Sequence, residues 1–261
     1  MSRPVLAALL LLLAPSAAFA QGQTPPPAAV QQDPEAAYNE LVKAFNKATS
    51  DWQTAAQAAV EKAQAAGERI PAIAMQPPTK QFVTQAGELA AAHAGKDAAV
   101  PFLGFIVKYA SNERAAVKEA IETLANAHAK SPAIGDVLPH VGNARRFGAQ
   151  KQMFALLDAV VDDHADVDAK AQALLVRGGL RLQAARTGAQ RKAAEADLRA
   201  VATTTTNEDL VAQAKDALFE IENLQVGCKA PEIEGVDTDG VPFKLSDYRG
   251  KVVLLDFWGF W

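Results

Sequence analysis

Side chains that commonly do chemistry are sparse in this sequence. One cysteine, Cys228, stands among 261 residues. A thiolate can attack a disulfide, but a lone cysteine can neither resolve the resulting mixed disulfide nor form an internal one. The four histidines, His93, His128, His140 and His164, are scattered. No two have the i, i+4 spacing that sets a pair of imidazoles on one helix face, and Cys228 adds no ligand pair. The pattern therefore argues for no metal site and no cofactor. Net charge is −4, and no block of Lys or Arg stands out. Nucleic acid requires a basic footprint to offset phosphate charge, so it is not an expected partner.

The elements that would have to position any chemistry begin with an N-terminal export pattern. Arg3 precedes an apolar run from Val5 to Leu13, and small residues end at Ala18-Phe19-Ala20. A basic start, an apolar core and an Ala-x-Ala ending are the parts of a secretory signal peptide. The run is shorter than the roughly 20 apolar residues a membrane-spanning helix needs. The expectation is a signal peptide over 1–20, with an uncleaved anchor as the competing reading, and a product exported to the periplasm or cell envelope. No later segment is long and apolar enough to span a membrane. Residues 21–33 are rich in Gln, Pro and Ala, the composition of a solvated linker.

From Asp33-Pro34 onward the pattern is helical. Asp can cap and Pro fits a first turn, so a helix is expected to run to about Ala66, with Gly67 ending it. Further helices are expected over Thr79–Ala94 and Asp97–Ala110. Ser111 or Asn112 caps the next, with Val117, Ile121, Leu124 and His128 on one face. Ser131-Pro132 restarts the chain. Met153, Phe154, Leu157, Val160 and Val161 form another apolar stripe. Ala169–Ala185 and Gln190–Ala202 read as a pair around Gly188, and Asn207 caps a last helix carrying Leu210, Ala214, Ala217, Ile221 and Leu224. Alanine supplies much of the 49% hydrophobic fraction. The last pair faintly resembles tetratricopeptide-type helix pairs, but no markers recur at a fixed period. His128, Trp52, Phe102, Phe105 and Phe154 read as packing residues. The fold expected for 34–224 is an all-helical domain, with a repeat-like build left open.

At Gln225 the composition changes. Alanine thins out, and Ile233–Val236 and Val241–Phe243 flank Asp237-Thr238-Asp239-Gly240, a hairpin signal because Gly accepts positive φ. Ser246 can cap a short turn over Asp247–Arg249, closed by Gly250. Val252-Val253-Leu254-Leu255-Asp256-Phe257-Trp258 then runs without alternation. Such a run is expected to be a strand covered on both faces, with the rest of its sheet outside this chain.

Together, Val226-Gly227-x-x-Ala230-Pro231, Asp239-Gly240 and Leu245–Trp258 closely resemble the opening of TlpA-like and redoxin (AhpC/TSA-type) thioredoxin-fold proteins. The resemblance covers only the tail. In that family the segment matched here by Asp256-Phe257-Trp258-Gly259-Phe260-Trp261 is followed at once by Cys-x-x-Cys. The resemblance implies an incomplete thioredoxin-like domain over 225–261, stopping before its dithiol. It implies an auxiliary role for Asp256, the match to a buried carboxylate that helps proton movement. Burial raises the pKa of such a group. Trp258 and Trp261 match residues that frame the active-site loop. Cys228 matches a variable position and is read as incidental.

The expected fold is mainly α, a helical domain followed by the first part of an α/β thioredoxin-like domain. The expected function is that of an exported thiol–disulfide oxidoreductase acting on protein thiols and disulfides, represented by a chain without its dithiol and therefore inactive. Its helical domain would serve as a spacer, a dimerisation element or a docking surface for a protein partner. Two alternatives stand beside it. One is a non-catalytic helical-repeat binding or scaffold protein of the envelope with a vestigial tail. The other is a peroxiredoxin-type peroxidase.

Overall fold

The computed structural model describes residues 33–72 and 76–259. The expected signal peptide at 1–20 and all of the 21–33 linker except Asp33 lie outside the described residues. The architecture is mainly α, as the sequence pattern predicts.

Helix α1 spans Pro34–Ala66. Pro34 fits a first turn, where its missing N–H has no intrahelical acceptor to lose. Gly67 ends the helix at φ +67°, a backbone geometry that side chains with a Cβ resist. Ala37, Leu41 and Phe45 recur every four residues and are buried. They face α2 (Thr79–Ala92) and α3 (Val100–Tyr109). The Phe45 ring meets Phe82 and Phe105 edge-on at 5.4 and 5.2 Å, and Tyr38 meets Phe102 at 5.8 Å. Edge-to-face pairs set positive ring edges against negative faces, worth about 0.5–1.5 kcal/mol each beyond burial. Burial, followed by the nearby Tyr109 and Asp136, raises the Tyr38 pKa. Phe102 and Phe105 are core residues, whereas Trp52 and Phe154 are only half-buried.

The helix expected over Asp97–Ala110 opens with a 3-10 turn, Asp97–Ala99, before α3. Helix α4 is Arg114–Thr123, continued by a π turn over Leu124–His128. Val117, Ile121, Leu124 and His128 are all buried, as their spacing predicts. The expected cap is different. Neither Ser111 nor Asn112 caps α4; both donate their backbone N–H to the Glu113 carboxylate at 2.9 and 3.0 Å. The Ser111 hydroxyl is engaged with Thr79 at 2.5 Å. Glu113 thus serves the two amides before the helix, and no side chain caps α4.

Ser131 restarts the chain as expected, accepting from the Ala133 N–H. The sequence pattern does not announce the next long element, a ten-residue 3-10 helix over Leu138–Phe147. Its three-residue turn puts Leu138, Val141, Ala144 and Phe147 in one row, and all four are buried. Gly148 closes it at φ +74°.

Four helices complete the body: α5 (Gln150–Asp163), α6 (Val167–Ala184), α7 (Gly188–Thr204) and α8 (Glu208–Asn223). Each of the last three has a side-chain cap. Asp166 accepts from the Asp168 N–H, Thr187 and Gln190 form a reciprocal capping box, and Asn207 accepts from Asp209 and Leu210. Such caps satisfy amides that have no intrahelical acceptor, at about 1 kcal/mol each. His164 ties two links together. Its Nδ1 accepts from the Asp166 N–H at 3.0 Å, so its Nε2–H donates to the Ser131 carbonyl at 3.1 Å. Asp168 accepts from the Thr205 hydroxyl, joining the start of α6 to the link before α8.

The pair around Gly188 packs at close range because of Gly178. A Cβ built there would stand 2.9 Å from Leu198 Cγ and 3.2 Å from the Ala194 carbonyl oxygen. Helix propensity alone favours alanine by about 1 kcal/mol, but overpacking typically costs about 1–3 kcal/mol. Gly178→Ala should therefore lower stability by about 1 kcal/mol or more, read from the urea midpoint. A stabilised variant would show that α7 can slide away freely.

Candidate functional site

The tail is built from short local devices. Strands β1 (Glu234–Val236) and β2 (Pro242–Lys244) pair antiparallel, with Gly235 opposite Phe243. The expected hairpin is thus present, shifted by a residue at its edges. Asp237 organises the turn: its carboxylate accepts from the N–H of Asp239 and Val241 at 2.9 and 2.8 Å. Gly240 supplies the positive φ, +80°. The turn after β2 is a 3-10 segment, Leu245–Tyr248. Ser246 lies inside it rather than capping it. Asp247 reaches back to the Lys244 N–H at 2.9 Å, and Glu232 accepts from the Ser246 N–H at 2.8 Å. Bonding to Ser246 holds the Glu232 carboxyl below its ordinary range. Lys244 and Glu234 pair across the hairpin at 2.5 Å.

The run Val252–Trp258 departs from expectation. It is not a strand, and every residue in it is exposed. Val252, Leu254, Phe257 and Trp258 are 104, 93, 82 and 76% exposed. A central strand needs ladder partners on its edges and layers on its faces; among the described residues no strand pairs with this run. Asp256 is exposed with its neighbours, so the burial that the thioredoxin resemblance implies for this carboxylate is not present here. Trp258 is placed at the end of the run, and Trp261 lies outside the described residues. Cys228 is an exposed free thiol in a turn closed by its N–H on the Gln225 carbonyl. It has no second cysteine to exchange with. A surface hollow beside the hairpin is lined by Asn223, Lys229, Glu232, Ser246, Arg249 and Val253, among others, but not by Cys228.

This geometry can present an apolar strand sequence and its lead-in hairpin. With these residues alone it cannot complete a thiol–disulfide cycle, since the nucleophile and the resolving thiol are two different cysteines. Among the described residues no three His, Cys, Asp or Glu side chains gather to hold a metal ion. The histidines serve the fold: His93 stacks on Phe102 at 5.9 Å, and His128 and His164 are buried. His140 has its pKa lowered, first by burial and then by Lys108. No described helix is long and apolar enough to cross a membrane.

Comparison with known proteins gives short matches. A stretch of 36 residues is 53% identical to the thiol-disulfide oxidoreductase ResA of Geobacillus kaustophilus, covering 14% of this chain and 21% of that protein. Over 40 residues the chain is 40% identical to ResA of Bacillus thuringiensis subsp. konkukian and 42% identical to that of Bacillus anthracis. Each match covers 15% of this chain and 23% of the relative. These matches support a thioredoxin-like relationship. The chain spans less than a quarter of the length of the curated relatives it matches. No family model matches, and no solved structure matches.

Two features of this structure lie beyond what sequence spacing reveals. Arg177 and Arg181 on α6 share Asp197 of α7 and Asp158 of α5. Arg177 contacts both carboxylates at 2.7 Å, and Arg181 contacts Asp197 at 2.7 Å. The Arg177–Arg181 spacing is a helical i, i+4 step, but only the folded chain shows which acids face it. The second feature is a gathering of exposed basic residues at one end of the helices, Arg145, Arg186 and Arg191 among them.

Proposed function

We propose that this chain is the helical portion and the lead-in of an exported thiol–disulfide oxidoreductase of the TlpA or redoxin type. The single observation that carries the reading is the exposed, unpaired Val252–Trp258 run behind an ordered hairpin. Seven residues of high β-propensity and one charge are unstable in water unless a sheet and its helices cover them. The lead-in motif and the ResA matches support a thioredoxin-like domain as that cover. On this reading the dithiol follows Trp261 at the start of a helix. The dipole there lowers the first thiol's pKa and makes it a nucleophile near neutral pH. Asp256 becomes buried beneath the dithiol once the strand is covered, and Trp258 and Trp261 frame the loop. The substrate class is protein disulfides or thiols outside the cytoplasm.

The test compares two proteins in insulin reduction driven by dithiothreitol. The 261-residue chain should give no turnover above the reagent blank. The same chain extended by whatever its genomic frame encodes after Trp261 should turn over, and should lose activity when either cysteine of the new pair becomes serine. A stop codon after Trp261, or an extension without two cysteines, would sink the reading in favour of a helical binding protein.

A further inference from the structure

The sequence scatters its basic residues, but folding collects them. The last turn of α6, the first turn of α7 and the first turns of α5 meet around one hollow, lined by Phe154, Arg181, Ala184, Gln190 and Ala193. The Arg145 guanidinium donates to Gln183 Oε1 at 2.9 Å, which brings the end of the 3-10 helix to the same place. Arg191 reaches Gln225 at the end of α8. Around this end stand Arg145, Arg146, Lys151, Arg186, Arg191 and Lys192, all exposed. Among the described residues none of the six makes an ion pair.

The acids of these helices do not neutralise the six. Asp158 and Asp197 are held by Arg177 and Arg181, and Glu195 and Glu222 by Arg199. Glu220, one turn before Gln225, lies at this end, and Glu232 lines a hollow with Asn223 close by. Asp216 lies midway along α8, and the remaining acids lie at the opposite ends of the helices: Asp162 and Asp163 close α5, Asp166 and Asp168 open α6, and Glu208 and Asp209 open α8. The body is therefore electrically polar along its helices, with its basic end on a chain of net charge −4.

We propose that this basic end is a docking surface for an anionic lipid bilayer. Charge complementarity selects the partner. Six cations spread over several helix ends match a broad negative surface better than the single carboxylate of a peptide. Each Lys or Arg near an anionic bilayer adds attraction equivalent to about fivefold in affinity, falling off within a Debye length. The surface lies beside Gln225, so docking sets the tail next to the membrane. Only residues of the helical body form it, so it stands apart from the redox reading.

The test is co-sedimentation of the full chain with vesicles of phosphatidylcholine alone, or with roughly a third phosphatidylglycerol, at low and at about 0.5 M salt. The expected result is binding to the anionic vesicles that salt reverses. The triple variant Arg146→Ala, Lys151→Ala, Lys192→Ala should bind about a hundredfold more weakly. These side chains are exposed, and circular dichroism checks that the fold is kept. The control triple Lys62→Ala, Lys80→Ala, Lys118→Ala removes equal charge elsewhere and should bind like the parent. Both triples carry the same termini, so their difference isolates the patch from any apolar contribution of the tail or N-terminus. Equal binding of the two triples, equal affinity for neutral vesicles, or tighter binding to duplex DNA at matched salt would overturn the assignment.

Discussion

Asp197→Ala should lower the unfolding free energy by about 3–5 kcal/mol, the range for breaking a buried ion pair from one side. The carboxylate side chain is 7% exposed and contacts two guanidiniums at 2.7 Å, one of which, Arg177, is itself 12% exposed. Burial disfavours the Arg177 charge, but hydrogen bonds to Asp197 and Asp158 outweigh it, and the Arg177 pKa is raised. Removing Asp197 leaves Arg177 charged in a poorly solvated place, with only the half-exposed Asp158 to balance it. The matching control is Arg177→Met with Asp197→Leu. It removes both charges, and much of the lost stability should return, because an apolar pair of similar volume avoids the desolvation cost. Urea unfolding of the three proteins settles it. A loss below about 1 kcal/mol for Asp197→Ala would place the pair with surface salt bridges, which are worth little.

Ending the chain at Leu224 should abolish self-association, the second large effect. Val252–Trp258 combines high β-propensity, high hydrophobicity and one charge, and its residues are exposed. An uncovered strand of that composition offers its backbone and apolar faces to a neighbour. The 261-residue chain should scatter light in proportion to growing assemblies, whereas the shortened chain should remain monodisperse at the same concentration. Equal monodispersity would mean that the run finds shelter in its own chain, and it would weaken the covered-strand argument for function.

Much of the helical body was legible because apolar spacing and breakers coincide. Pro34, Gly67, Asn207 and the Val117–Ile121–Leu124–His128 row stand where pattern places them. What pattern missed depends on competition or on distance. Ser111 does not cap α4, since its hydroxyl is engaged with Thr79, 32 residues away in the sequence. The 3-10 helix at Leu138–Phe147 is invisible to a search at 3.6 residues per turn. The tail's hairpin was legible from Asp237 to Gly240, since turn chemistry is local. Its strand run was legible as sequence but not as structure, because a strand is defined by partners. The basic end was hidden for the opposite reason: its residues lie tens of positions apart, and only packing joins them.

The 3-10 helix also fixes a length. At about 2.0 Å rise per residue against about 1.5 Å in an α-helix, its ten residues span roughly 5 Å more than α-helical winding would allow. Leu138 and Phe147 are therefore anchors at the two ends of a stretched spacer, and Gly148 passes that position on to the start of α5. Rewinding to α would draw the anchors together by about one helical turn and rotate Phe147 off the buried row. The placement of α5, and with it Lys151 at the basic end, is thus gauged by the winding of a segment that contributes no charge of its own between Leu138 and Ala144.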